Sequence, residues 1–304
     1  MEALLYDRLK EKTVQCHLCA HRCMIKDGKR GICGVRENRA GRLETLVYDK
    51  IIAAHIDPIE KKPLFHFYPG TLAYSVGTVG CNFRCRFCQN SDIAQMPADN
   101  GGRIMGKSVS PGDIVEDAAK SGCRSIAYTY TEPTVFFELA LATAKLANPA
   151  GIKNIFVTNG YMTAEALDMA CPFLDAANVD LKAFSDDFYK KMCGGRLAPV
   201  LDTLKKMRML DIFVEVTTLL IPGANDDPEE LKRTAGFIAT ELCTDNLQQQ
   251  VAHPTYRLTD HGPTPWQFPA ALDIGLKAGL KYVYTGNILA RTAKIRFAMP
   301  AEPG

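Results

Sequence analysis

Gly80-Cys81-Asn82-Phe83-Arg84-Cys85-Arg86-Phe87-Cys88-Gln89-Asn90 places three cysteines at the spacing C-x3-C-x2-C, directly after a strand-like apolar run at 72–76. A short loop with thiols at that spacing can wrap a metal centre. A structural zinc site wants four ligands, commonly as two spaced pairs, and no fourth cysteine stands near this triplet in the sequence. An iron–sulfur cube has four irons and is usually held by four thiolates. Three clustered cysteines therefore point to a cube with one iron left open for another ligand.

Around that loop the composition is that of a globular protein. A chain of 304 residues with 47% hydrophobic content has enough apolar material for one large domain and a small one. The 36 basic and 34 acidic residues leave a net charge of +2, which gives no overall pull toward nucleic acid or an anionic membrane. Lys205-Lys206-Met207-Arg208 is the one dense basic run, and its pattern is that of a solvated helix face. No apolar run approaches the roughly 18 residues needed to span a bilayer. The amino terminus, MEALLYDRLKEK, reads as a charged helix and not as a signal peptide, so a cytoplasmic location is expected. The 11 cysteines agree, because they are odd in number and mostly clustered, unlike a secreted disulfide scaffold. Cys123, Cys171, Cys193 and Cys243 stand alone and are expected to be buried or inert thiols.

Residues 1–70 read as a separate unit. Cys16, Cys19, Cys23 and Cys33 give C-x2-C-x3-C-x9-C, four thiols able to complete a tetrahedral zinc site or to hold a second iron–sulfur cluster. Spacing leaves both metals open. His17 and His21 are spare ligands at most, more in keeping with the surface or with support of the site. Residues 41–48 alternate as a strand. The stretch 56–70, with its prolines and lysines, reads as an extended linker whose aromatic cluster covers the mouth of the next domain. His55 and His66 are expected to pack there.

From residue 72 strand and helix alternate. Strand-like runs fall at 72–76, 125–130, 154–158, 178–182, 213–220 and 282–284, and helix-like runs at 114–121, 135–147, 164–170, 200–210 and 228–242. That order predicts an α/β fold with a parallel sheet flanked by helices. In such a fold functional side chains gather at the carboxyl ends of the strands. Glu132, Asn159, Asp180 and Lys182 all fall there. Glu132 suits an ammonium or a helix amino terminus. Asn159 suits a ribose or carboxylate, or a plain turn. Asp180 and Lys182 lie two apart on one strand face. Asp226 and Asp227 read as helix caps.

The cysteine triplet, with Phe87 before its third member, resembles the radical S-adenosylmethionine (SAM) superfamily. The segments 16–38, 58–70 and 253–260 narrow the resemblance to the radical SAM enzyme of the AmmeMemoRadiSam system, a relative of the pyruvate formate-lyase-activating enzymes. The resemblance covers most of 15–287. It implies a partial (β/α)6 barrel over 71–287, preceded by a small cysteine-rich domain over 1–70 and followed by a divergent tail, 288–304. Cys81, Cys85 and Cys88 would hold a 4Fe-4S cluster. Glu132, Asn159, Asp180 and Lys182 would contact SAM, whose reductive cleavage yields a 5'-deoxyadenosyl radical. The substrate is open, with a glycyl residue of a partner protein, a small molecule and a peptide as candidates, and a non-catalytic iron–sulfur or zinc protein as the rival class. A one-electron donor such as flavodoxin or ferredoxin is implied, along with Memo-like and AMMECR-like companions; neither nucleic acid nor membrane is expected as a partner. Two stretches depart from the family pattern. Residues 246–252 are too polar for the expected sixth strand, and the tail lacks a Cys-x2-Cys seen in similar proteins.

Overall fold

A computed structural model describes residues 1–243, 246–251, 255–258 and 267–286. Its central sheet has eight strands. β1 (Ala53–Pro58) lies antiparallel on one edge against β2 (Leu72–Gly77). β3 (Ser125–Tyr128), β4 (Lys153–Thr158), β5 (Ala176–Asp180), β6 (Phe213–Leu220), β7 (Asn246–Val251) and β8 (Tyr282–Gly286) follow in chain order, each parallel to the strand before it. The crossovers carry α1 (Pro111–Lys120), α2 (Phe137–Ala147), α3 (Ala164–Ala170), α4 (Leu197–Met209), α5 (Pro228–Thr240) and α6 (Gln267–Lys277). Six strand–helix units thus run into β8, one parallel strand more than the expected (β/α)6 count. The helix starts follow local chemistry. Ser110 and Asp113 form a reciprocal capping box on α1, and Asp227 accepts the Glu229 and Glu230 amides at the start of α5, the capping role expected of it. The basic run on α4 does lie outward, with Lys205 paired to Glu241 and Lys206 to Asp168.

The polar stretch 246–252 was the place where a strand looked doubtful, and the sequence pattern misleads there. β7 sits between β6 and β8 in register, with Val216 opposite Leu247 and Leu247 opposite Val283. Its glutamines have partners on both faces: Gln248 Nε2 donates inward to the Pro63 carbonyl and to Glu215, while Gln249 Nε2 donates outward to the Ala271 carbonyl of α6. Side-chain amides replace the apolar contacts usual in a central strand. The tail 288–304 and the 253–254 and 259–260 parts of the family segment lie outside the described residues.

Two expectations for the first 70 residues need correction. The amino terminus is not a helix: Tyr6–Arg8 pairs with Val14–Cys16, which pairs with Met24–Ile25. Left-handed backbone at Glu11 (φ 54°) and Lys12 (φ 55°) turns the chain back, so strand pairing overrides helix propensity. The strand expected at 41–48 is the second arm, Arg42–Thr45, of a hairpin with Arg36–Arg39. Packing is continuous across residue 70. β1 is annealed to the main sheet, and Val14, Leu18, Ile25, Val35 and Leu43 share one buried cluster with Val79, Phe83 and Val135.

The linker is the second correction, because it fills the barrel from below and does not cover its mouth. Ile59 and Leu64 pack on Ala73, Ala127, Ile155 and Ala176, inward-facing residues near the amino ends of the strands. Asn178 Nδ2 donates to the Pro63 carbonyl at 2.9 Å, and Glu215 accepts the Phe65 and His66 amides at 3.1 and 2.8 Å. The aromatics close the seam to β8, with Phe65 stacked on Tyr284 and His66 against Tyr282, the packing role expected of that histidine. Glu215 is fully buried, and its removal strands three donors. Glu215→Ala is expected to cost about 3 kcal/mol in chemical unfolding. Burial raises the Glu215 pKa above its ordinary 4.5. The folded state then holds its proton more tightly than the unfolded one, so this contribution is largest at low pH and fades as pH climbs from about 4.5 through the raised pKa. Glu215→Gln should flatten that part of the stability–pH curve, which unfolding at stepped pH would read directly.

Candidate active site at the carboxyl ends of the parallel strands

The loop after β2 carries the three cysteines, and backbone contacts set its shape. The Arg84 amide donates to the Cys193 carbonyl (2.7 Å) and the Arg86 amide to that of Met192 (2.9 Å). Gln95 Nε2 holds the Phe83 carbonyl at 3.0 Å. Two glycines permit the fit: a Cβ on Gly195 would lie 2.4 Å from the Phe83 ring, and one on Gly80 (φ 99°) 2.5 Å from Val35. Phe83 is buried and Phe87 packs on Phe188.

Cys81, Cys85 and Cys88 open on a cavity of about 720 Å³ that is also lined by Glu132, Asn159, Asp180 and Lys182. All seven residues singled out in the sequence therefore meet at one place. Glu132 is 2% exposed. Its Oε1 takes the Thr134 amide (3.0 Å) and the Thr134 and Thr158 hydroxyls, whereas Oε2 takes only the Asn159 amide (2.8 Å). It caps the turn at Pro133–Phe136, the helix-terminus reading, and lines the cavity as well. Burial raises its pKa despite those donors. Asn159 does something the sequence did not show: Nδ2 reaches Asn82 Oδ1 at 2.7 Å and Cys81 Sγ at 3.9 Å, tying the end of β4 to the cysteine loop.

Asp180 and Lys182 pair as expected, Nζ to Oδ2 at 2.9 Å, although β5 ends at Asp180 and Lys182 lies just beyond it. Burial draws the Lys182 ammonium down, yet Asp180 with Cys85 and Cys193 holds its pKa well above the ordinary value. Asn225, in the turn after β6, donates Nδ2 to the Lys182 carbonyl (2.6 Å) and accepts the Ile221 amide, so it fixes the lysine from behind. Asp226 accepts the Gly223 amide in the same turn.

Cys193 is the other residue that sequence reasoning set aside. It is fully buried beside Cys85, and its thiol draws the Cys85 pKa down. The Gly194-Gly195 pair after it, needed for the close approach to Phe83, is the signal that marks the segment.

Cys16, Cys19, Cys23 and Cys33 line one small apolar pocket with Arg36, on the far side of the cysteine loop. The two regions touch: the Cys33 carbonyl abuts Gly80, and His21 Nε2 lies 2.8 Å from the Asn82 carbonyl. Burial pushes the Cys33 thiol up to about 11. Both ring nitrogens of His17 are engaged, by Asp7 and Arg22, while His21 stands in the pocket wall with the cysteines. None of the cysteines forms a disulfide. Among the described residues no three His, Cys, Asp or Glu side chains are arranged to hold a single metal ion.

The mostly parallel sheet of this α/β fold gathers three thiols, a carboxylate and an Asp–Lys pair round one cavity. The chain belongs to the Radical SAM superfamily, whose family model matches residues 75–235. It is 45% identical to the uncharacterized protein MJ0808 of Methanocaldococcus jannaschii, over 94% of this chain and 85% of that one. It is 25% identical to the pyruvate formate-lyase-activating enzyme of Listeria monocytogenes, over 57% of this chain and 71% of that one, a distant homology. Among solved structures it shares its fold with a radical SAM methyltransferase from Sphaerobacter thermophilus (TM-score 0.56, 17% identity, 73% of this chain and 68% of that one). Streptococcus suis SuiB bound to S-adenosylmethionine is similar in fold too (TM-score 0.55, 13% identity, 69% of this chain and 48% of that one).

Membership implies a 4Fe-4S cluster and SAM, and the residues suit both. The sulfurs face donors a thiolate accepts, with the Phe83 amide 3.4 Å from Cys81 and the Cys193 thiol on Cys85. Asn82 Nδ2 is buried without a partner beside Cys81, a spare donor at the edge of the site. No helix among the described residues is long and apolar enough to cross a membrane.

Proposed function

We propose that this chain reductively cleaves SAM with a 4Fe-4S cluster held by Cys81, Cys85 and Cys88, and takes a hydrogen atom from a glycyl residue of a partner protein. Bound cluster and SAM together supply the one-electron chemistry. The chain's own groups do the positioning. Glu132 Oε2 offers its open lone pair to the SAM ammonium, Lys182 offers a cation to the carboxylate, and Asp180 aims that lysine. The observation that carries the reading is Asn159, whose amide bonds Glu132 and whose side chain bonds the cysteine loop, so the SAM residues and the thiols form one network.

The likeness of segments 16–38 and 58–70 to the AmmeMemoRadiSam branch supports Memo-like and AMMECR-like proteins as partners. Flavodoxin or ferredoxin is the proposed electron donor, in a cytoplasmic setting that keeps thiols reduced. The contact of the Cys16, Cys19, Cys23 and Cys33 pocket with the cysteine loop supports a second metal site, zinc or iron–sulfur, next to the first.

The test is 5'-deoxyadenosine formation from SAM by anaerobically reconstituted protein under dithionite. Wild type is expected to form it, and Glu132→Gln, which puts an amide N–H₂ where Oε2 meets the Asn159 amide, to bind SAM about tenfold more weakly, a loss of roughly 1.4 kcal/mol, at unchanged iron content. Full iron with no 5'-deoxyadenosine in wild type sinks the proposal.

A further inference from the structure

Lys62 stands in the wall of the reaction cavity and is 3% exposed. Its Nζ donates to Asp57 Oδ2 at 2.6 Å and lies 4.6 Å from the centre of the Tyr130 ring. An ammonium has three donors, and among the described residues the other two find no acceptor. Asp57 is itself shared among three donors. Its Oδ1 accepts from Lys61 (2.8 Å), and its Oδ2 accepts from Tyr130 Oη (2.8 Å) as well as from Lys62. Two ammoniums therefore share one carboxylate. Lys61 is 65% exposed at the cavity rim and is served by water, but Lys62 has no such recourse.

Among the described residues no other carboxylate of the cavity bonds Lys62. Lys182 already holds Asp180, and Glu132 accepts four hydrogen bonds from its own loops. Glu60 accepts the Gly70 amide, away from Lys62. The backbone beside the lysine is fixed, because Pro63 is held through its carbonyl by Asn178 and Gln248. Tyr130, which covers the ammonium, is held in left-handed backbone (φ 66°), with its own carbonyl bonded by Asn90. Burial lowers the Lys62 pKa, and Asp57 does not restore it. A buried cation with open donors is expensive unless an anion meets it.

We propose that Lys62, with Lys61 at the rim, forms an oxyanion subsite in the reaction cavity that takes a carboxylate or phosphate of the molecule to be modified. The inference rests on the cavity being the reaction chamber and adds the chemical class of what enters it. On a protein substrate the oxyanion is an acidic side chain or a phosphate near the reacting residue.

Calorimetric titration of the reconstituted full chain at fixed low ionic strength, with acetate and with inorganic phosphate separately, tests it. Saturable binding of at least one anion is expected, acetate alone marking a carboxylate and phosphate alone a phosphate. Lys62→Met should weaken that binding about tenfold, Lys62→Arg should keep it, and Asp57→Asn, which removes the competing carboxylate, should tighten it severalfold. SAM affinity should be unchanged in Lys62→Met. Absence of saturable binding to wild type, or equal affinity in wild type and Lys62→Met, overturns the subsite; so does weaker binding in Asp57→Asn, which decides the matter even where Lys62→Met does not fold. Loss of 5'-deoxyadenosine formation in wild type is a separate failure, of the radical reading, and leaves the anion titration legible.

Discussion

Cys81→Ala/Cys85→Ala/Cys88→Ala is expected to lose about four irons per chain and to bring 5'-deoxyadenosine formation down to the rate without enzyme. The loop should nevertheless keep its shape. It is anchored by the Arg84 and Arg86 amides on the 192–193 turn, by Gln95 on the Phe83 carbonyl, and by buried Phe83 against Gly195, none of which needs a thiol. Thermal unfolding of the triple variant should thus lie within a few degrees of a metal-free wild type, which separates loss of chemistry from loss of fold. Whatever metal remains belongs to the Cys16, Cys19, Cys23 and Cys33 pocket: iron with sulfide identifies an auxiliary cluster, and zinc a structural knuckle. SAM cleavage that survives in the triple variant, or zinc alone with no cleavage in wild type, excludes the radical mechanism.

Sequence reasoning found what is local and missed what is not. Cys81, Cys85 and Cys88 are named by their spacing, and Glu132, Asn159, Asp180 and Lys182 by their places at strand ends, because a parallel sheet carries the residues after each strand to the same rim. The strand and helix runs were legible for the same reason, each being set by periodicity and caps within a few residues. Cys193 looked isolated because its partner, Cys85, is 108 positions away (193 − 85), and nothing in its neighbourhood except Gly194-Gly195 hints at a close approach. The 56–70 segment looked like a cover because its prolines forbid a helix. Its true place below the sheet depends on Glu215, 149 and 150 residues on, and on Gln248 in a strand whose pattern hides its burial. Lys61 and Lys62 read as linker charge although Asp57 stands only four and five positions before them, and what the sequence hides there is the burial of Lys62 under Tyr130. Propensity favoured a helix at the amino terminus, where pairing to Val14–Cys16 won.

Glu138→Ala should destabilise the chain by about 3–5 kcal/mol, and chemical unfolding would measure the loss. Glu138, in α2, is buried against Arg36, itself 1% exposed, and the two pair directly. The same Oε1 takes the Leu4 amide at 2.7 Å, while Arg36 donates Nη2 to the Leu4 carbonyl and Nη1 to Cys16 Sγ, each at 3.0 Å. Truncating the acid leaves a guanidinium in the core with no carboxylate and the Leu4 amide with no acceptor. Stability alone does not require such a pair, since apolar residues of similar volume often replace a buried ion pair at little loss. Arg36→Met/Glu138→Leu should accordingly recover most of the unfolding free energy that Glu138→Ala gives up. What it cannot recover is the hydrogen bond from Arg36 to Cys16 Sγ. If the double variant is stable but binds less metal than wild type at the amino-terminal pocket, Arg36 is placed for the Cys16 site and Glu138 makes that placement tolerable. If metal content is unchanged, the pair serves only to pin the amino terminus, and Cys16 holds its ligand without help from Arg36.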